Sequence, residues 1–212
     1  MTAQRIILWR HGRTAWNLIN RFQGQADIEL DEVGRGQAAR AARVLAALEP
    51  AVLWSSDLSR ARETAGALAS LTGLEVTTDK RLREIHVGSW EGLTGDEVDR
   101  LDPELSRRLR AGEDVRRSAT GESPSEVALR VAEALTELAE AAPDGSTVVA
   151  ASHGLAGRVG IAELVGLPAE HWRLFGGLSN CGWVSLDRHR SGRYWRIERY
   201  NATADEPGEL IS

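Results

Sequence analysis

The sequence predicts a three-layer α/β/α sandwich around a mainly parallel central sheet, and three observations point there. Short, uninterrupted apolar runs recur at residues 6–9, 51–54 and 148–151, the last preceded by the strand-favouring Thr147. Each has strand length and polar boundaries, as strands buried on both faces do. Between them lie longer stretches with apolar residues at helical spacing, so strand and helix alternate. Reactive side chains follow the C-terminal ends of the runs, where open parallel sheets present ligands: Arg10-His11-Gly12 after the first, Arg60 just beyond the second, His153-Gly154 after the third. With 212 residues, 42% of them hydrophobic, residues 1–212 read as a single domain able to bury a substantial core.

Each element follows from local chemistry. At the end of the first strand Arg10 offers a planar fork of donors suited to phosphate or carboxylate. His11 can serve as base or nucleophile near neutral pH, and Gly12 permits a sharp turn. The polar, glycine-punctuated stretch from Arg21 to Asp27 is a loop returning past that strand end. Asp31 is placed as a helix N-cap, and Ala38, Ala41, Ala42, Leu45 and Leu48 mark a helix whose small side chains suit close packing on a sheet. After the second strand, Leu58, Ala61, Ala65 and Leu68 mark another helix. Arg60 falls in its first turn, beside free N–H groups that favour an anion, while Arg62 faces solvent or pairs with an acid.

A third strand over residues 75–78 leads to a mixed segment in which Glu84 lies outside any amphipathic helix. Its carboxylate is either catalytic or a structural partner of Arg81 or Arg83, and His86 either packs or lines a pocket. Thr94-Gly95-Asp96-Glu97 is a capping box opening a short helix. The charged stretch 99–119, with Arg107, Arg108, Arg110, Arg116 and Arg117, reads as a mobile, solvent-facing cap within an insertion over residues 93–120. Arg116 or Arg117 is placed to reach a distal acidic group of a substrate. Ser123, Pro124 and Glu126 start a helix with Val127, Val131, Ala134, Leu138 and Ala141 on its apolar face. A helix to Gly166 and strands over 183–186 and 194–200 complete the sheet, and the polar residues from Asn201 onward read as frayed.

A formal net charge of −5 argues against a nucleic-acid partner, so any anion site must be a local concentration of arginine. Cys181 is the only cysteine, which excludes an intrachain disulfide and a cysteine-built metal site and suggests a reducing, cytoplasmic setting. The apolar run before Arg10 is too short for a signal-peptide core, and nothing approaches the length of a membrane span. No membrane partner, metal or other cofactor is expected.

Arg10, His11, Gly12, Thr14 and Asn17 together resemble the signature of the histidine phosphatase superfamily, also called the phosphoglycerate mutase-like family. The resemblance continues in Ser56, Arg60, Ala61 and Thr64, in Leu82, Glu84, Gly88, Glu91 and Gly92, and in His153-Gly154. It implies the phosphoglycerate mutase-like sandwich with a short cap, and metal-free hydrolysis of a small phosphorylated substrate. It implies His11 as nucleophile, Glu84 as proton donor and then base, and Arg10, Arg60 and His153 as the phosphate cradle. Substrate contacts are implied at Asn17, Gln23, Gly24, Gly154 and Leu155, and homodimers are common among relatives. His11 must be neutral to attack, and the neighbouring Arg10 should disfavour its imidazolium.

Within the family, mutases carry Asn after the second His-Gly and a longer insertion. Here the residue is Leu155 and the cap is short, which favours a hydrolase, while Arg13 replaces a common Glu or Gln at the pocket rim. Arg21-x-Gln23-Gly24-Gln25-x-Asp27, the 176–180 segment and Asn201-Ala202 resemble the branch that hydrolyses glucosyl-3-phosphoglycerate. Trp16 and Trp90 then either stack on the sugar or pack in the core. The alternatives are a broad sugar-phosphate or α-ribazole phosphatase, a phosphoglycerate mutase, and a catalytically silent phospho-ligand binding protein.

Overall fold

The computed structural model describes residues 2–204. Its first half comprises β1 (Arg5–Arg10), α1 (Ala15–Leu18), α2 (Glu32–Ala46), β2 (Pro50–Ser55), α3 (Ser59–Thr72) and β3 (Val76–Thr78). There follow α4 (Gly95–Leu101), α5 (Pro103–Ala111), α6 (Pro124–Ala141), β4 (Thr147–Ser152), α7 (Gly154–Leu164), β5 (Trp183–Arg188) and β6 (Trp195–Ala202). The strands form one sheet in the order β3-β2-β4-β1-β5-β6. Neighbours from β3 to β1 run parallel, and β5 and β6 add antiparallel pairings. The predicted mainly parallel sheet is therefore present.

Alternation along the central strands makes the three layers. Ile6, Leu8, Val148 and Ala150 pack with the apolar faces of α6 and α7 on one side of the sheet, while Ile7, Trp9, Val149 and Ala151 pack with α2 and α3 on the other. Small residues on the second face, Ala38, Ala41 and Ala42 of α2 and Ala65 of α3, bring those helices close to the sheet. Helix starts follow the predicted caps: Asp31 Oδ1 accepts from Gly34 N at 2.7 Å, and capping boxes open α4 at Thr94 and α6 at Ser123.

Register brings the strand ends level. Arg10 of β1 lies opposite Ser152 of β4, and Ser55 of β2 opposite Ala151. The next residues, His11, Ser56 and His153, therefore leave the sheet along one edge. Glycine then lets the exit loop lie on α2: a Cβ on Gly34 would stand 2.0 Å from Arg13 O, and one on Gly12 2.4 Å from Gly34 O.

Several boundaries differ from the sequence reading. Ala141 is exposed at the end of α6, and the buried position falls to Ala142. Asn201 and Ala202 are not frayed but belong to β6, because Asn201 Oδ1 accepts from Ser179 N at 2.6 Å. Only the expectation for residues 205–212 lies outside the described residues. In the cap, Arg107 pairs with Glu104, Arg108 with Glu113 and Arg110 with Asp99, all exposed pairs of small individual worth. Among the described residues no helix is long and apolar enough to cross a membrane.

Replacing Gly34 by Ala forces a backbone contact to open and should lower unfolding stability by about 1–3 kcal/mol. Urea denaturation checks this, and an unchanged midpoint contradicts the close approach.

Candidate active site

The level strand ends open into a cavity of about 250 Å³ lined by Arg10, His11, Asn17, Arg21, Phe22, Gln23, Gly24, Arg60, Glu84, Ile85, Val87, Arg117 and Leu155. Four of these are arginines and one is a carboxylate, so the site carries an excess of positive charge suited to a dianion.

Hydrogen bonds assign the imidazole tautomers. His11 Nδ1 lies 2.7 Å from Gly12 O, which can only accept, so Nδ1 carries the proton and Nε2 keeps a lone pair. Burial first, and then the charges of Arg60 and Arg10, push His11 well below the usual imidazole range. The sequence pointed to Arg10 alone. His153 is buried beside it, with ring centroids 5.1 Å apart. Arg60 Nε donates to His153 Nδ1 at 3.2 Å, so the His153 proton sits on Nε2, 2.9 Å from Ser56 Oγ. With both nitrogens engaged, His153 stands behind His11 and Arg60 rather than in the lining. Burial, reinforced by Arg60 and then His11, also pushes its pKa well down.

Arg60, in the first turn of α3, and Arg10, at the end of β1, are held differently. Arg60 is fully buried and donates to Ala26 O at 2.7 Å and Gly24 O at 2.8 Å, which fixes the 23–26 loop over the pocket. Burial lowers its pKa to about 10, so it remains cationic at neutral pH. Arg10 donates Nη1 to Leu178 O, while its buried Nε has no hydrogen-bond partner. Gly154 packs beside this side chain, a Cβ there lying 3.4 Å from Arg10 Nε, and is not in the lining.

Glu84 is not the structural partner of a neighbouring arginine. Arg81 pairs with Asp79 and Glu137, and Arg83 with Asp57. Instead the Glu84 carboxylate receives the N–H groups of Leu155 at 3.1 Å and Ala156 at 2.9 Å, at the N-terminus of α7. Its backbone is clamped by Arg130 of α6, which donates to the carbonyls of Arg81, Arg83 and Glu84 and pairs with Glu122 at 2.9 Å. Asn17 is fixed as firmly: its Oδ1 accepts from Thr14 N, Thr14 Oγ1 and Asn180 Nδ2 at 3.1–3.2 Å, leaving the NH2 end to donate elsewhere.

Some expectations fall elsewhere. Arg13 pairs with Asp31 at 2.8 Å and is not in the lining. Trp90 belongs to the core and Trp16 packs on Gly92, so neither lines the pocket. His86 holds Thr120 O at 3.1 Å, and Arg116 pairs with Glu126, leaving Arg117 as the cap arginine at the pocket. Arg21, which the sequence reading used only as part of a motif and gave no site role, shares the lining with Gln23.

Fold and site together define an α/β protein with a cationic pocket for a phosphate-sized anion. Residues 6–203 match the profile of the histidine phosphatase superfamily (branch 1), and the chain belongs to that family. Over 227 residues it is 38% identical to glucosyl-3-phosphoglycerate phosphatase of Mycolicibacterium vanbaalenii, covering 100% of both chains. It is 35% identical to a probable phosphoglycerate mutase GpmB of Yersinia pestis, covering 94% of this chain and 93% of that one. The structure of mycobacterial glucosyl-3-phosphoglycerate phosphatase Rv2419c complexed with VO3 superposes with a TM-score of 0.87 at 38% identity, covering 94% of this chain and 100% of that one.

Neutral, buried His11 and His153 give a pH signature. Below about pH 6.5 the unfolded chain takes up protons at these positions while the folded chain does not. Stability should therefore fall as pH drops from 6.5 toward the lower folded values, by on the order of 1.4 kcal/mol per unit for each residue. Denaturant unfolding between pH 7 and 5 checks this, and a flat profile contradicts the neutral assignments.

Proposed function

We propose that the chain is a phosphomonoesterase that works through a phosphohistidine at His11 and hydrolyses glucosyl-3-phosphoglycerate. The observation that carries the chemistry is the tautomer of His11: Nδ1–H is bound to Gly12 O, Nε2 is free, and burial among guanidinium groups keeps the ring neutral.

In the first step the Nε2 lone pair attacks phosphorus and the P–O bond to the leaving alkoxide breaks. Arg10 and Arg60 face the charge spread over the equatorial oxygens, with Asn17 and Gln23 as further donors. Glu84, as general acid, gives a proton to the departing oxygen. In the second step water attacks the phosphohistidine, Glu84 takes the water proton, and the P–N bond breaks to restore His11. His153 acts from behind by holding Arg60 through its Nδ1. Two difficult displacements at one phosphorus thus share one acid–base group.

Full-length identity to an enzyme named for glucosyl-3-phosphoglycerate supports the substrate. Hydrolysis rather than mutase chemistry is supported by Leu155, an apolar side chain in the lining where the family's mutases carry Asn. The setting is read as cytoplasmic from the lone Cys181, and a homodimer follows the habit of the family.

Histidine 11 replaced by Ala should show no turnover of p-nitrophenyl phosphate, whereas the unaltered protein should hydrolyse it in excess chelator. Failure of the latter favours a binding protein or a metal enzyme. Glu84→Gln should slow the first, phosphorylating step by roughly 100-fold or more on an alkyl phosphate and far less on p-nitrophenyl phosphate, whose leaving group needs no proton. Equal losses on both esters would exclude Glu84 as the acid.

A further inference from the structure

Beneath the cap lies a second cavity, of about 240 Å³, between the 112–117 segment, α7 and the 169–174 turn. Arg117 lines both this cavity and the pocket of His11, so the two adjoin at its side chain. Each alone is smaller than the roughly 300–1,000 Å³ of ordinary small-molecule sites, and together they fall within it. We propose that this second cavity holds the hydroxyl-rich glycosyl part of the leaving group, an inference that rests on the substrate reading above.

The chemistry of the walls selects that ligand over an anion. Arg117, Arg158 and Arg173 face the cavity together with Glu113, Asp114 and Glu170, so cations and carboxylates balance. A wall of mixed donors and acceptors suits hydroxyls, each of which both donates and accepts, whereas an anion would meet three carboxylates. The groups retain capacity. Arg158 Nε is buried with no hydrogen-bond partner, and Arg117 donates to Val115 O at 3.3 Å. Asp114 takes one N–H, from Ser125 at 3.0 Å, and Glu113 is joined to Arg108. Trp172, 6% exposed, has its indole N–H satisfied by Leu167 O and so presents apolar surface, the partner a sugar's C–H face needs.

A phosphate bound by Arg10 and Arg60 would thus have its ester oxygen toward Glu84 and its leaving group passing Arg117 into the cavity. Arg117 feels the cavity's cations: burial, then Arg158 and Arg173, pull its pKa to about 10. That leaves it charged at neutral pH and able to meet a polar group at the junction.

Two variants test the subsite from opposite directions. Ala169→Phe adds bulk to the cavity wall, and Arg158→Met removes donors while keeping an apolar stem. The readout is the ratio of kcat/KM for glucosyl-3-phosphoglycerate to that for 3-phosphoglycerate, which lacks the sugar. The ratio should fall at least about tenfold in both variants, as expected when hydrogen-bonded hydroxyls lose their site. A wild-type preference for the glucosylated ester that survives in either variant overturns the subsite alone. A wild-type protein with no such preference overturns the substrate reading, and the subsite with it.

Discussion

Burying guanidinium groups without matching carboxylates is the constraint on which this site depends. Arg10 ends β1 and Arg60 lies in the first turn of α3, and burial lowers both pKa values, opposed chiefly by Glu84. Such an arrangement is costly until an anion arrives, so the fold must hold it by other means. It does so with backbone carbonyls: Ala26 and Gly24 hold Arg60, and Leu178 holds Arg10. The same burial that leaves these cations short of counter-charge keeps His11 and His153 neutral. One electrostatic condition therefore produces both a cationic pocket and a neutral imidazole beside it.

Geometry at the strand ends is fixed by the sheet and by residues remote from the reacting atoms. The register of β1, β4 and β2 sets His11, His153 and Ser56 side by side. Asn180 ties the Asn17 amide to the His11 carbonyl, with donor distances of 3.2 and 3.3 Å. Arg130 fastens the Glu84 segment to α6, and the first N–H groups of α7 receive the Glu84 carboxylate. Glu84 and His11 are thus carried by different layers of the sandwich, joined through the core.

Much of this was legible in the sequence because the relevant signals are local. Apolar runs ending in Arg10, Ser55 and Ser152, and the caps at Asp31, Thr94 and Ser123, depend on neighbours within a few residues, and each has its element in the structure. What escaped depends on distant contacts. Nothing near Arg130 reveals that it meets carbonyls 46–49 positions away, and nothing near Asn180 shows that it meets Asn17. His153 looked like a cradle residue from its strand-end position and the family resemblance, but Arg60 and Ser56 engage its two ring nitrogens and it is not in the lining. Asn201 looked frayed because its composition is polar; its pairing with Ser179 crosses 22 residues.

The central claim, that a neutral His11 takes the phosphoryl group through Nε2, is tested most directly by trapping. In Glu84→Gln the second step lacks its base, so rapid acid-free quenching after mixing with p-nitrophenyl phosphate, followed by peptide mass spectrometry, should find acid-labile phosphate on the peptide that carries His11. No phosphorylated peptide, or phosphate on any other residue, would contradict the account.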